Sequence, residues 1–393
     1  MKTKSWRLKV ALICISDTHS GGSVSYEQNL VHVLTNELSD QYEFVVFLPK
    51  GSSSLNKKSP QEQKKISYKV GLVSLFFMSI RLSLPGYAIL KRIGLRYGRI
   101  ERQMKKEGVA LAYFVSPNPL ALDLVDTPMM NTVWDLGHRD LPEFLEITGD
   151  RHYEERETFF RHVLPKSFRV FVDTDTTAKK ITNYYGVDPS RILPTGLIFN
   201  TADKKNHSQI SADEFQGKPF FIYPAQLWPH KRHALLINAF SEVHKQHPNM
   251  NLVLTGSDKG NRAHLEKLRD DLGLTDSIHF LGFVSDERLV SLMKYAHYLV
   301  FPSSLGPSNL PPLEAAMLGT PSLISGVHQD PALANRLMTV VPQQSVEAWA
   351  DAMSATLLDE LIIRAPISLL TIDISTVVSS ALHSFSESRI EWK

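Results

Sequence analysis

Gly306-Pro-Ser-Asn-Leu-Pro-Pro-Leu-Glu314-Ala-Ala-Met-Leu-Gly319-Thr-Pro321 is a loop of Gly, Pro, Ser and Asn that runs straight into a helix-forming segment, Leu313-Glu-Ala-Ala-Met-Leu318. A helix opening this way points unpaired backbone N–H groups into the loop. One carboxylate, Glu314, is expected in its first turn. Such a site suits a phosphate with a hydroxylated group beside it. Just upstream, Tyr295-Ala-His-Tyr-Leu-Val-Phe301-Pro302 reads as a helix end passing into a buried strand that stops at proline. The loop therefore falls at a strand's carboxyl end, where open α/β sheets bind ligands.

The strand and helix alternation extends on both sides of this stretch. The second half predicts strands at 220–224, 251–255, 278–281 and 298–301, with helices at 232–247, 261–272 and 286–295 between them. The first half opens with a strand at 9–15, a Gly-rich turn at 20–23, an amphipathic helix at 26–38 and a strand at 42–48. A polar loop at 51–65, an apolar region to about residue 84 and a helix of basic face at 87–106 follow. Further strands are expected at 110–115, 131–134 and 169–172. Between 200 and 218 the chain turns to Asp, Lys, Asn, Ser and Gly with no apolar period, the composition of a linker.

A length of 393 residues exceeds what one core usually supports. The fold class expected is α/β, with two Rossmann-like domains at 1–205 and 215–370 facing each other across a cleft that closes on a ligand. The tail, 371–393, is expected to pack back on the first domain. Hydrophobic content of 43% and charged content of 21% are ordinary for a folded protein, and a net charge of +2 argues against a dedicated nucleic-acid binder.

The single cysteine, Cys14, lies inside the apolar run Leu8 to Ile15, so no disulfide framework or thiolate metal site can form. A cytoplasmic setting is expected. The run after Lys2, Lys4, Arg7 and Lys9 is too short for a secretory signal, and Ser16-Asp-Thr-His-Ser-Gly-Gly is no cleavage site. The longest apolar region, 70–90, carries Arg81, Pro85 and several serines, which does not suit a membrane span.

A second motif, Tyr223-Pro-Ala-Gln226-Leu-Trp-Pro-His-Lys231-Arg232-His233, follows the first strand of the second half and leads into a helix. Lys231 and Arg232 then lie on the same sheet edge as the Glu314 loop. A diphosphate between them would meet a Lys, an Arg and a helix N-terminus.

These two motifs, with Phe280-Leu-Gly-Phe-Val-Ser285 between them, resemble the donor half of family 4 glycosyltransferases, the group 1 type of GT-B fold found in bacterial polysaccharide and lipopolysaccharide biosynthesis. Trp134-Asp-Leu-Gly-His138-Arg-Asp-Leu-Pro142-Glu143-Phe, with Arg156-Glu157 and Phe171-Val-Asp-Thr174, resembles the acceptor half more loosely. By that resemblance Lys231 binds the diphosphate, Glu314 holds the nucleotide ribose, and the backbone of Asn309, Leu310 and Pro311, next to Ser308, lies against the diphosphate. Phe283 and Val284 belong to the loop that reads the base. Gly21 and Gly22 form the first-domain turn near the leaving phosphate and sugar. Gln226, Arg232 and Gly256 complete the expected donor set, and Asp135 and His138 join Lys231 and Glu314 as catalytic candidates. Three positions depart from the family pattern: Gly306 replaces a first glutamate, Gln226 an arginine, and Trp134 the histidine before Asp135.

The resemblance implies transfer of a sugar, with retention, from a GDP-mannose-like or UDP- or dTDP-sugar to a glycan or lipid-linked glycan hydroxyl. No metal or other cofactor is expected, and no nucleic-acid partner. Lys91, Arg92, Arg96, Arg99, Arg102, Lys105 and Lys106, beside the apolar 72–84 region, would let the protein touch an anionic membrane on its inner face. Alternatives are a nucleotide-sugar epimerase of the same fold and a non-catalytic homologue that binds sugar nucleotides. Asp17 and His19 could begin a metallophosphatase site, but the later segments that family needs are absent. Asp173-Thr-Asp175 matches a metal-binding DxD, and we read it as a helix cap formed by Thr174 or Asp175.

Overall fold

A computed structural model describes residues 7–15, 22–51, 63–69, 72–196, 215, 217–305, 310–326, 336–358, 365–367 and 373–390. Two all-parallel sheets organise them. The first contains β1 (Leu8–Ile13), β2 (Tyr42–Pro49), β3 (Lys64–Tyr68), β4 (Leu111–Phe114), β5 (Met129–Val133), β6 (Arg169–Val172) and β7 (Ile192–Pro194), in the order β3-β2-β1-β4-β5-β6-β7. The second contains β8 (Phe220–Pro224), β9 (Asn251–Thr255), β10 (Ile278–Gly282), β11 (Tyr298–Phe301), β12 (Ser322–Ser325) and β13 (Met338–Val341), in the order β10-β9-β8-β11-β12-β13. Strand order reverses between β1 and β4 and again between β8 and β11. At such switch points the crossover helices leave in opposite directions and open a crevice at the strands' carboxyl ends.

The strands are buried on both faces, as parallel sheets require, and so read as continuous apolar runs. Along β1 and its neighbours β2 and β4, Ala11, Ile13, Val45, Phe47, Ala112 and Phe114 enter one core layer. Val10, Leu12, Phe44, Val46, Leu111 and Tyr113 enter the other. The pairing of Val10 with Phe44 and with Leu111 keeps this alternation in register.

The chain divides into two compact units. The first comprises Met1–Leu136, Tyr153–Phe199 and Thr371–Lys393; the second comprises Gly137–His152 and Asn200–Leu370. The C-terminal helix Ile374–Ile390 belongs to the first unit because its apolar face, Val378, Leu382 and Phe385, completes a core layer there. Phe385 meets Phe168 edge-on at 5.3 Å, and the Tyr42 hydroxyl donates to the Ser379 carbonyl at 3.3 Å. Gly137–His152 departs from the division expected at about residue 205. Leu141, Phe144 and Ile147 bury themselves with Leu305, which places this stretch in the second unit.

Two elements differ from the sequence expectation. Part of the expected loop at 51–65 is instead the start of edge strand β3, disguised by its lysines because only Ile66 and Tyr68 pack inward. The expected basic helix at 87–106 is two helices, Leu84–Arg92 and Arg99–Glu107. Gly94 (φ 77°) breaks the first, and a side chain at Gly98 would strike the Asp123 carboxylate. Inside the second helix Glu101 is fully buried and accepts from the backbone N–H groups of Val125, Asp126 and Thr127 at 2.8 Å. Arg96 pairs with Asp126 at 2.7 Å, so the basic cluster is partly neutralised. Among the described residues, no helix is long and apolar enough to cross a membrane.

Candidate functional site

At the β8/β11 switch point of the second unit, the two loops leaving these strands carry the two motifs. The loop after β8 is held by backbone bonds to the end of β9 and the loop after it: Ala225 N–H donates to the Thr255 carbonyl at 2.9 Å and Leu227 N–H to that of Ser257 at 3.1 Å. Gly256 (φ 131°) lies so close that a Cβ there would sit 2.3 Å from the Ala225 carbonyl oxygen. Only glycine fits. Its conformation and this close approach give Gly256 a structural reason to be glycine, whatever it contributes to a ligand.

From Ala225 the chain enters the 3-10 turn Pro229–Lys231, and Arg232 closes it in the left-handed region (φ 57°). The Tyr223 hydroxyl donates to the Lys231 carbonyl at 2.8 Å, fixing the turn from below. Lys231 Nζ then donates to Ser303 Oγ at 3.1 Å and to the Leu305 carbonyl at 3.3 Å, 5.5 Å from the centre of the Phe301 ring. The ammonium thus stands where the chain leaves β11 for residues 306–309 and the helix Leu310–Leu318. Arg232 also reaches the loop after β11. Its Nε donates to Ser304 Oγ at 2.9 Å and its guanidinium lies over the Phe144 ring at 4.9 Å, so it braces the loop from the side. Ser304 N–H donates to the His230 carbonyl at 2.9 Å, completing the join between the loops.

His230 is buried and is fixed by Glu146, whose Oε1 accepts from the His230 backbone N–H at 2.8 Å and lies 3.0 Å from Nδ1. Trp228 stacks on the imidazole, with ring centres 6.4 Å apart and planes 19° apart. Its Nε1 donates to Gln226 Oε1 at 3.0 Å, which turns that oxygen into its own loop. His233 is buried against the Tyr223 ring at 4.6 Å. Burial first, and the Lys231 charge second, pull its pKa down to about 3, so the imidazole is neutral near pH 7.

The helix Leu310–Leu318 corrects two expectations. It begins three residues before Leu313, which places Glu314, half-buried, beyond the first turn. Its opening residues include Pro311 and Pro312, which have no N–H. Proline suits this position because an N–H there has no intrahelical acceptor. Of the first four residues only Leu310 and Leu313 offer a donor, fewer than a helix starting at Leu313 would. After β10, Phe283 is 62% exposed while Val284 is buried, leaving an aromatic face open near the sheet's carboxyl edge.

Asp135, in the first unit after β5, pairs with Arg156 at 2.5 Å. His138 is fully buried in the short helix Gly137–Asp140 of the second unit. Gly22 opens the helix Gly22–Glu37. Gly21, Ser308 and Asn309 lie outside the described residues, as do Gly306, Asp17 and His19. The DxD is a cap: Thr174 Oγ1 accepts from Thr177 N–H at 3.1 Å, and Asp173 Oδ1 accepts from Thr177 Oγ1 at 3.0 Å. Among the described residues, no group of three or more His, Cys, Asp or Glu could hold a metal ion.

Sequence reasoning missed Ser303, Ser304, Phe144 and Glu146. The serine pair just after Pro302 was a usable signal, since it stands where a strand ends. Glu146 gave none, because its partner lies 84 residues away.

Residues 204–367 match the family model described as glycosyl transferases group 1. This part of the chain is similar to group 1 glycosyltransferases. Both switch-point loops and the helix Leu310–Leu318 fall inside it. Over 206 residues the chain is 28% identical to the O-antigen chain mannosyltransferase RfbU of Salmonella typhimurium, covering 50% of this chain and 54% of that protein. The chain spans about half the length of the curated relatives it matches. Solved structures extend the likeness beyond residues 204–367. WaaG, a glycosyltransferase involved in lipopolysaccharide biosynthesis, superposes with a TM-score of 0.64 at 19% identity, over 89% of this chain and 90% of its own. Anabaena HepE in complex with UDP and glucose superposes with a TM-score of 0.67 at 14% identity, over 98% and 100%. These superpositions show that the two parallel sheets have the GT-B fold.

Proposed function

We propose that the chain transfers a sugar from a nucleoside-diphosphate sugar to a glycan hydroxyl, with retention, in the assembly of a bacterial surface polysaccharide. One observation carries this reading: Lys231 Nζ reaches across the β8/β11 switch point to Ser303 and Leu305 at the threshold of the Gly306–Pro321 motif. The named activity of RfbU and the UDP bound in HepE support it.

Breaking the bond between the anomeric carbon and the diphosphate oxygen leaves two or more negative charges on the departing group. Lys231 meets that charge as a preorganised cation, already anchored, and so loses little orientational freedom when it develops. In our reading Glu314 accepts from the ribose hydroxyls, and Leu310 N–H lies against a phosphate oxygen. The acceptor oxygen bonds to the anomeric carbon on the face the phosphate leaves. Its proton passes to the departing diphosphate oxygen, so neither a covalent nucleophile nor a divalent metal is required. Phe283 offers an exposed ring beside the base loop.

The test is a panel of GDP-, UDP- and dTDP-sugars incubated with and without a glycan acceptor. Glycoside formation that needs both partners supports transfer. Release of free nucleotide without an acceptor would instead support the epimerase alternative, and binding without turnover the non-catalytic one.

A further inference from the structure

The first unit has its own switch point, between β1 and β4, and a cavity of about 710 Å³ lies there. Ile15 follows β1, Lys50 follows β2, Lys69 follows β3, and Asn118 to Leu120 follow β4. The cavity therefore sits at the strands' carboxyl ends, where the topology directs ligands. Its size is that of a small-molecule site.

The lining is uneven in chemistry. Ile15, Tyr68, Leu75, Met78, Pro119 and Leu120 provide apolar walls. The Tyr68 hydroxyl is committed to the Cys14 carbonyl at 2.6 Å, and Asn118 Oδ1 to Leu120 N–H at 3.0 Å. Lys50 and Lys69, both exposed, are its only charged lining groups among the described residues, and both are cations. A free oligosaccharide would bury many hydroxyls here with few partners, and each one left unpaired weakens binding. An apolar chain ending in an anion matches both halves of the lining. Leu75, 42% exposed, also continues the cavity wall onto an open surface that includes Phe76, 62% exposed.

We infer that this cavity holds the apolar chain of a lipid phosphate, with Lys50 and Lys69 at the phosphate, and that the glycan acceptor is carried on an amphiphile of this class. The inference rests on the transferase reading, since only a transferase needs an acceptor. The site itself can be tested separately.

The full chain is titrated calorimetrically with farnesyl monophosphate, farnesol and inorganic phosphate, and separately with UDP and GDP. Farnesyl monophosphate is expected to saturate, with farnesol at least tenfold weaker and inorganic phosphate not saturating in the same range. Leu75→Glu and the double variant Lys50→Glu/Lys69→Glu should each weaken farnesyl monophosphate at least tenfold and leave nucleotide affinity unchanged. Equal binding of farnesol and its phosphate, or binding that survives both variants, overturns the proposal. So does absence of farnesyl monophosphate binding in a protein that still binds nucleotide. Farnesyl monophosphate binding of the expected pattern without any nucleotide binding sustains the cavity and removes the transferase reading instead.

Discussion

Glu146 Oε1 lies 2.8 Å from the backbone nitrogen of His230, the residue just before Lys231. A carboxylate from a distant stretch of chain thus fixes the turn that aims the ammonium at the β11 loop. Glu146 touches no reacting atom in this reading, so its role is to position Lys231.

Replacing Glu146 with alanine should lower kcat by roughly tenfold, the equivalent of one charged hydrogen bond of about 1.5 kcal/mol. Glu146→Gln keeps an acceptor oxygen and should recover most of the rate. Steady-state kinetics on both variants decides the matter. Equal losses in the two would mean that the carboxylate's charge, rather than its hydrogen bond to His230, is what counts.

Lys231→Ala should reduce transfer at least about a hundredfold, the usual effect of deleting a preorganised electrostatic group. Glu314→Gln should act mainly on donor affinity. Calorimetric titration with the nucleoside diphosphate is the check, and unchanged affinity in Glu314→Gln removes the ribose assignment.

Gly256→Ala should destabilise the protein by roughly 3 kcal/mol, because its φ of 131° and the 2.3 Å approach to the Ala225 carbonyl both penalise a side chain. A urea melt measures this. A midpoint equal to that of the parent protein would show that the Ala225 loop moves aside at little cost.

His233 imposes a pH dependence whose sign follows from its depressed pKa. The unfolded chain takes up a proton below about pH 6.5, whereas the folded one does so only near 3, so acid favours unfolding. Stability from this group is complete above about pH 6.5 and is lost as the pH falls toward 3. Between pH 7 and 5 the loss is about 2 kcal/mol. His233→Phe should flatten that portion of the stability curve, measured by denaturant titration at the two pH values.

Transfer should persist in EDTA, because the Lys231 ammonium, in our reading, meets the charge of the departing diphosphate. Loss of activity that is restored by added magnesium or manganese would overturn that assignment.

Much of the fold could be read in the sequence because parallel strands buried on both faces leave continuous apolar runs such as Phe220 to Tyr223 and Tyr298 to Phe301. Edge strand β3 escaped because an edge needs few apolar residues, and its lysines look like loop. The Lys231 motif was legible as a local pattern of strand, turn and helix. Its anchoring was not, since Ser303, Ser304 and Glu146 reach it through space and nothing in their own neighbourhoods announces the partnership. The proline pair at 311 and 312 was plain in the sequence. It was misjudged because the helix was expected to start after it.

The helix Ile374–Ile390 closes a layer of the first unit although the entire second unit precedes it in chain order. A nascent chain emerging from the ribosome can therefore finish its second unit while Leu12, Leu30 and Phe44 of the first still lack their final cover. The earlier-made part of the protein matures last, and a chaperone that shields its open layer during synthesis would act on the amino-terminal half.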